Sequence, residues 1–268
     1  MNIFVASQDH RSILHQYLVA AEVVIPVKNE RPVTIISETH YPFDERIHYT
    51  IRSDRKFDFY IRIPEWVGKG STIAKDPAAW EEPLTMESPG LSKIIILPGH
   101  STFSISLTTE IRVVSRPNNS VAIYRGALLY ALEIPHRTKE SSPQGEPEDA
   151  KYPPQVRDVE YTPTGDWQVA IDPSQTRFHR EETEGDLANP IFASGAPPVS
   201  ITVAASKISN WALEGDCAGL PPANPAPVGK PFAVRLVPFA SAKLHIADFP
   251  VLKLGRVDLE NIETPSVY

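Results

Sequence analysis

Carboxylates and aromatic rings are the side chains of this sequence most able to do chemistry. Hydrolysis of a glycosidic bond needs two carboxyl groups facing one linkage, about 5–10 Å apart. The chain has 33 acidic residues, so a pair at that distance arises by chance. Glu45, Glu65 and Asp166 are the candidates, and all three read as solvated turn or strand-end residues. His10 and His15 are five apart, a poor spacing for one helical face, with no further ligands to complete a metal site. No metal and no cofactor is expected. No Gly-x-Ser-x-Gly, His-Glu-x-x-His or phosphate-cradling glycine loop is present, which leaves serine nucleophiles and nucleotide binding without support.

Aromatic residues offer binding chemistry instead. Trp66 reads as framework, whereas Trp80, Trp167 and Trp211 lie beside charged or loop residues. An exposed tryptophan can stack on a sugar ring or wall an apolar pocket. Arg125-Gly126 interrupts a long apolar run. The plainer reading is a strand bend with a structural arginine; the functional one places Tyr124, Arg125 and Tyr130 in a cleft. The residues expected to line a ligand pocket are Tyr124, Tyr130, His136, Trp167, His179 and Trp211.

The elements that must position these residues are strands. Twenty-seven prolines in 268 residues are about twice the usual ~5% and favour many short elements joined by turns. Ile13, Leu14, Tyr17, Leu18 and Ala21 have helical spacing, which predicts a helix within 11–26 before the strand-like Val23-Val24-Ile25. From residue 33 the period becomes two. Ile47, Tyr49 and Ile51 alternate with polar residues, as do Phe57, Phe59, Ile61 and Ile63, with a turn at 53–56. Further strands are expected at 94–97, 103–107, 111–113, 167–171, 199–204, 232–237 and 244–249. The runs flanking Arg125-Gly126 read as strands buried on both faces. Residues 139–155 and 218–231 are proline-rich and predict long loops, and Cys217 is expected in a loop of the second sandwich. One cysteine excludes an intrachain disulfide and a multi-thiolate metal site. Asn118-Asn119-Ser120, a glycosylation sequon, reads as a turn.

The predicted fold class is all-β, with two packed antiparallel, jelly-roll-like β-sandwich domains. Their expected bounds are 1–117 and 118–254, followed by an extended C-terminal arm over 255–268. A net charge of −7 argues against a nucleic-acid or anionic-membrane footprint. No stretch approaches the ~20 apolar residues of a membrane span. The N-terminus lacks a basic segment followed by an apolar run, so a cytoplasmic protein is expected.

Three blocks in order carry a family resemblance. They run from Thr39-His40-Tyr41-Pro42-Phe43 to Arg62-Ile63-Pro64-Glu65-Trp66, from Val121-Ala122-Ile123-Tyr124-Arg125-Gly126 to Tyr130-Ala131-Leu132-Glu133, and from Leu236-Val237-Pro238-Phe239-Ala240 to Ala247-Asp248-Phe249-Pro250. Together, over roughly residues 3–250, they resemble the C-terminal β-sandwich region of the beta-L-arabinofuranosidase family, glycoside hydrolase family 127, in its fungal form. In that family an (α/α) barrel holds a zinc-bound cysteine nucleophile, cysteine and glutamate ligands and a glutamate acid/base. None of these has a matching position here, and Cys217 does not correspond to the nucleophile. The resemblance therefore implies a fold without the catalytic barrel, and a former barrel-docking face free to become a pocket or a homo-oligomer contact.

Two functions from different classes follow as expectations. The first is a stand-alone, non-hydrolytic protein that binds a hydrophobic small molecule, extending to a cofactor-free cyclase of Diels–Alder type in fungal natural-product biosynthesis. Such chemistry needs an apolar cavity holding a near-attack conformer and a hydrogen-bond donor or two. The second is a carbohydrate-binding or accessory module, or a truncated glycosidase fragment. Cavity polarity and compartment discriminate between them.

Overall fold

The computed structural model describes residues 2–75, 80–143, 153, 155–181, 187–193, 197–260 and 262. The chain divides into two compact units, Met1–Glu110 and Ile111–Tyr268. Among the described residues nearly all regular structure is strand, and no helix is long and apolar enough to cross a membrane.

The first unit contains β1 (Phe4–Ala6), β2 (Ser12–His15), β3 (Ala21–Ile25), β4 (Val33–Thr39), β5 (Arg46–Ser53), β6 (Phe57–Arg62), β7 (Thr72–Lys75), β8 (Glu81–Pro83), β9 (Leu91–Ile96) and β10 (Gly99–Ser106). They form two sheets, ordered β1-β2-β6-β9 and β3-β4-β5-β10-β7-β8. Alternation does the sorting: Ile47, Tyr49 and Ile51 on β5, and Phe57, Phe59 and Ile61 on β6, turn into one shared core with Phe103 and Ile105.

The helix expected within 11–26 is not there; the segment forms β2 and β3. Its apolar spacing came from two strands read as one element. Ile13 and His15 alternate inward, and β2 lies parallel to β6, pairing Ile13 with Phe59 and His15 with Ile61. The long-range ladder and the burial of Ile13 override a weak local pattern. His15 is fully buried, with its ring stacked on Phe4 and its Nδ1 2.8 Å from the Tyr49 hydroxyl. Burial lowers its pKa to about 4, and the Tyr17 backbone offsets only part of that shift.

The second unit contains β11 (Ile111–Ser115), a 3₁₀ turn at Pro117–Asn119, β12 (Ser120–Arg125), β13 (Leu128–Glu133), β14 (His136–Ser141), β15 (Asp158–Pro163), β16 (Val169–Arg180) and β17 (Val199–Ile208). It continues with β18 (Leu213–Glu214), β19 (Cys217–Ala218), β20 (Pro227–Pro238), a 3₁₀ turn at Phe239–Ser241, β21 (His245–Ile246) and β22 (Phe249–Pro250). The main sheet runs β11-β12-β13-β20-β17-β16. It curls toward closure because one segment reaches from β12, next to the edge strand β11, to the opposite edge strand β16. Phe249 and Pro250 pair with β12, and Val251 bridges to Ile171 on β16.

The two runs around Arg125-Gly126 are β12 and β13, which pair as a hairpin, with Gly126 at φ 56° where a side chain is disfavoured. The sequon is a turn, its Asn118 and Asn119 both left-handed, as asparagine tolerates. The proline-rich segment 218–231 is not all loop. Pro227 opens β20, where its missing N–H is tolerated at a strand's first residue, and Val228 pairs with Lys207. Cys217 is exposed and sits in the two-residue strand β19 rather than in a loop. Of the loop expected at 139–155, residues 139–141 complete β14, whereas 144–152 and 154 lie outside the described residues.

Residues 252–257 run beside β16; of the segment 255–268 expected as an arm, 261 and 263–268 lie outside the described residues. The anchor of this run is a bulge between Asp172 and Thr176. The Asp172 carboxylate accepts from the Ser174 hydroxyl at 2.6 Å, the Ser174 amide at 3.1 Å, Gln175 Nε2 at 3.0 Å and the Leu254 amide at 3.0 Å. Burial alone would raise its pKa, but these donors outweigh it and hold the carboxyl at about 2. Gln175 completes the anchor, donating to the Gly255 carbonyl at 3.0 Å and accepting from the Val257 amide at 3.0 Å.

Candidate functional site

At the foot of the β14–β15 ribbon, in the second unit, lies an open groove of about 430 Å³. Arg137 and Thr162 line it from the ribbon, and Asp166, Trp167 and Gln168 from the connection into β16. The connection turns tightly because Thr164 donates to the Pro135 carbonyl at 2.7 Å. Gly165 permits that approach; a Cβ there would stand 3.0 Å from the Pro135 ring.

Each wall of the groove is fixed from behind. Trp167 meets Trp211 edge to face, and Trp211 is 2% exposed, packed with Ala170 and Ile208. The Trp211 indole donates to the Gly219 carbonyl at 2.7 Å, and its own carbonyl accepts from the Gln168 amide. Asp166 pairs with Lys207 of β17. The site therefore presents a partly exposed indole beside a guanidinium, a carboxylate and an amide. That set suits a ligand with an apolar face and polar edges.

The six residues expected to line one pocket do not gather in one place. Trp167 lines the groove and Trp211 supports it from the core. His136 stands at the ribbon's start, opposite the lining residue Pro163; its ring lies edge-on to Tyr161, and its Nδ1 donates to the Ile134 carbonyl at 2.7 Å. Tyr130 is 1% exposed and belongs to the core, between β12 and β20. Tyr124 lies under the guanidiniums of Arg112 and Arg116, and accepts from Arg116 at 2.8 Å. His179 sits near the end of β16, with its Nε2 2.8 Å from the Thr202 hydroxyl. Burial, then Arg177 and Arg235, lower its pKa.

Of the three carboxylates weighed for hydrolysis, Glu45 and Glu65 belong to the first unit and Asp166 to the second. Sequence reading missed Arg137 and Gln168, which carry no motif and gain meaning only from the ribbon. It also missed Asp172, although Asp-Pro-Ser is an Asx-turn signal. Among the described residues no group of three or more His, Cys, Asp or Glu could hold a metal ion. Trp80, a second candidate platform, belongs to the first unit and is 92% exposed.

Residues 12–79 match the family model "Beta-L-arabinofuranosidase, GH127 middle domain". No curated protein matches the chain. Among solved structures, a GH127 beta-L-arabinofuranosidase from Geobacillus stearothermophilus T6 superposes with a TM-score of 0.57 at 15% identity, over 93% of this chain and 35% of its own. A structure described as a glycoside hydrolase gives 0.57 at 16% identity, over 94% of this chain and 37% of its own. A GH127 beta-arabinofuranosidase gives 0.56 at 13% identity, over 90% and 35%. The chain thus spans little more than a third of the length of the structures it matches, and the likeness at these identities is one of fold. Residues 12–79 thus resemble the middle domain of the GH127 beta-L-arabinofuranosidases, and the chain shares the fold of part of the solved GH127 structures.

Proposed function

We propose that this chain is a ligand-binding β-module of GH127 lineage, and that its second unit holds a saccharide in the Trp167 groove. The observation that carries this reading is the composition of the groove. An indole braced by a buried tryptophan lies beside Arg137, Asp166 and Gln168 in a trough open to solvent. Sugar rings present an axial C–H face for the indole and hydroxyl edges for the polar groups. Open access suits part of a longer chain, whereas confinement of a reacting polyene requires enclosure.

A second reading keeps the same groove and changes the ligand. Pro163 and the Trp167 indole both line the groove and give it apolar surface, which suits a hydrophobic small molecule.

Tryptophan fluorescence tests both. The wild type and Trp167→Ala are titrated with beta-L-arabinofuranosides and plant oligosaccharides, and separately with apolar polyenes. Saturable quenching by a saccharide, lost in Trp167→Ala, is the expected result. A response to polyenes alone overturns the saccharide reading in favour of the second. A saccharide response unchanged in Trp167→Ala removes the groove from the function.

A further inference from the structure

We infer that the second unit carries a separate anion-binding site, framed by Arg177, His179 and Arg235, in which the carboxylate of Glu260 is a built-in and displaceable occupant. A small carboxylate ligand is the class the site would take in its place.

The frame follows from register. Arg177 stands opposite Thr202, and Thr202 opposite Arg235, across β16, β17 and β20. Residues directly opposite share a face, and His179, two residues beyond Arg177, shares it too. Thr202 is fully buried, and its hydroxyl lies 2.8 Å from His179 Nε2. Two guanidiniums and an imidazole thus surround one polar floor. Arg235 is half-buried and makes no hydrogen bond or ion pair with any described residue. A half-buried guanidinium with its fork unused is an open half of a carboxylate site.

The occupant comes from the arm. Glu260 pairs with Arg177 at the end of a groove of about 790 Å³, which Arg256 also lines. Both side chains of that pair are largely exposed, 54% and 75%, so water competes for it and it contributes little to stability. The arm does not depend on it, being fastened earlier through Leu254 to Asp172 and Val257 to Gln175. Glu260 can therefore swing away while the arm stays in place. Its negative neighbours are Asp258, which accepts from the Glu260 amide at 3.0 Å, and Glu181, which acts on His179. They set the site against highly charged anions and toward a single carboxylate.

Calorimetric titration of the full chain with glucuronate, using glucose as the uncharged control, tests the inference. Glu260→Ala is expected to bind glucuronate at least tenfold more tightly than the wild type. Adding Arg235→Met to Glu260→Ala is expected to abolish that gain, with Arg235→Lys as the milder variant if the first does not fold. Glucuronate is also expected to raise the titration midpoint of the His179 ring, followed by NMR. Equal affinity in the wild type and Glu260→Ala, or a gain that survives loss of the Arg235 fork, overturns the assignment. The Trp167 groove is unaltered in all these variants, so a failure here leaves the saccharide reading untouched, and the reverse.

Discussion

Trp167 meets Trp211 edge to face, with ring centroids 5.2 Å apart and planes at 64°. One ring lines the groove and the other is buried, so the contact transmits the rigidity of the core to the binding surface. The two tryptophans should therefore separate by readout. Trp211→Ala is expected to cost about 3–5 kcal/mol, as large-to-small core changes do. Trp167→Ala is expected to cost about 1 kcal/mol, near the value of an aromatic pair, while losing saccharide binding. A double-mutant cycle in urea should return a coupling of about 0.5–1.5 kcal/mol. Zero coupling would mean that the core does not hold the groove wall.

Acid should weaken the first unit through His15. Its folded pKa is about 4, below the ordinary 6.5, so the unfolded chain takes up the proton first. The stability it contributes is fully present above pH 6.5, falls as pH drops from 6.5 toward 4, and levels off below that. The total is about 3 kcal/mol at 1.36 kcal/mol per pH unit. His15→Gln leaves the Tyr49 hydroxyl a partner that does not titrate. Urea denaturation from pH 7.5 to 4 should show a shallower slope in this variant; an unchanged slope assigns the acid sensitivity elsewhere.

Much of the first unit was legible because one face of its central strands β4, β5 and β6 is buried. Period-two alternation in 47–51 and 57–63 names the core directly, and in the second unit the hairpin at 121–133 shows as two apolar runs around Arg125-Gly126. The residues between 11 and 26 misled because Ile13, Tyr17 and Ala21, and Leu14 and Leu18, fall at helical spacing by coincidence, and only the partner strand β6, over forty residues away, decides the matter. The candidate site was half legible. Tryptophan marks a binding surface by its chemistry, but whether it faces solvent depends on packing. Trp167 and Trp211 look alike in sequence and differ because Trp211 finds a carbonyl, that of Gly219, for its N–H in the interior. Arg235 and Glu260 meet one site through register and a trailing arm, which no local pattern encodes.

Gly219 should be intolerant of a side chain although its φ is ordinary. An alanine Cβ there would stand 2.9 Å from Glu214 Oε1 and 3.0 Å from the Ala212 carbonyl oxygen. The glutamate tip can move; the backbone carbonyl cannot, because Gly219 also donates its amide to it at 3.0 Å. Gly219→Ala is expected to cost about 1–3 kcal/mol, as overpacking does, and to loosen Trp211. Thermal unfolding checks the first and near-ultraviolet circular dichroism of the indoles the second.

Asp172 should control whether the arm stays on β16. The carboxylate is 4% exposed and gathers donors from Ser174, Gln175 and Leu254, which hold its pKa at about 2 against an ordinary 3.8. The unfolded chain therefore binds a proton more readily than the folded one. The corresponding stability, about 2 kcal/mol, is present above pH 4 and is lost as pH falls from 4 to 2, below the range where His15 acts. Asp172→Ala leaves the half-buried Leu254 amide without its acceptor. Hydrogen exchange at Leu254 and Val257 should then accelerate together, because Gln175 loses the carboxylate that orients it toward Val257. Exchange in the core strand β17 should change far less. Acceleration confined to Leu254 would show that the two anchors are independent, and acceleration throughout β17 would show that the arm belongs to the global folding unit.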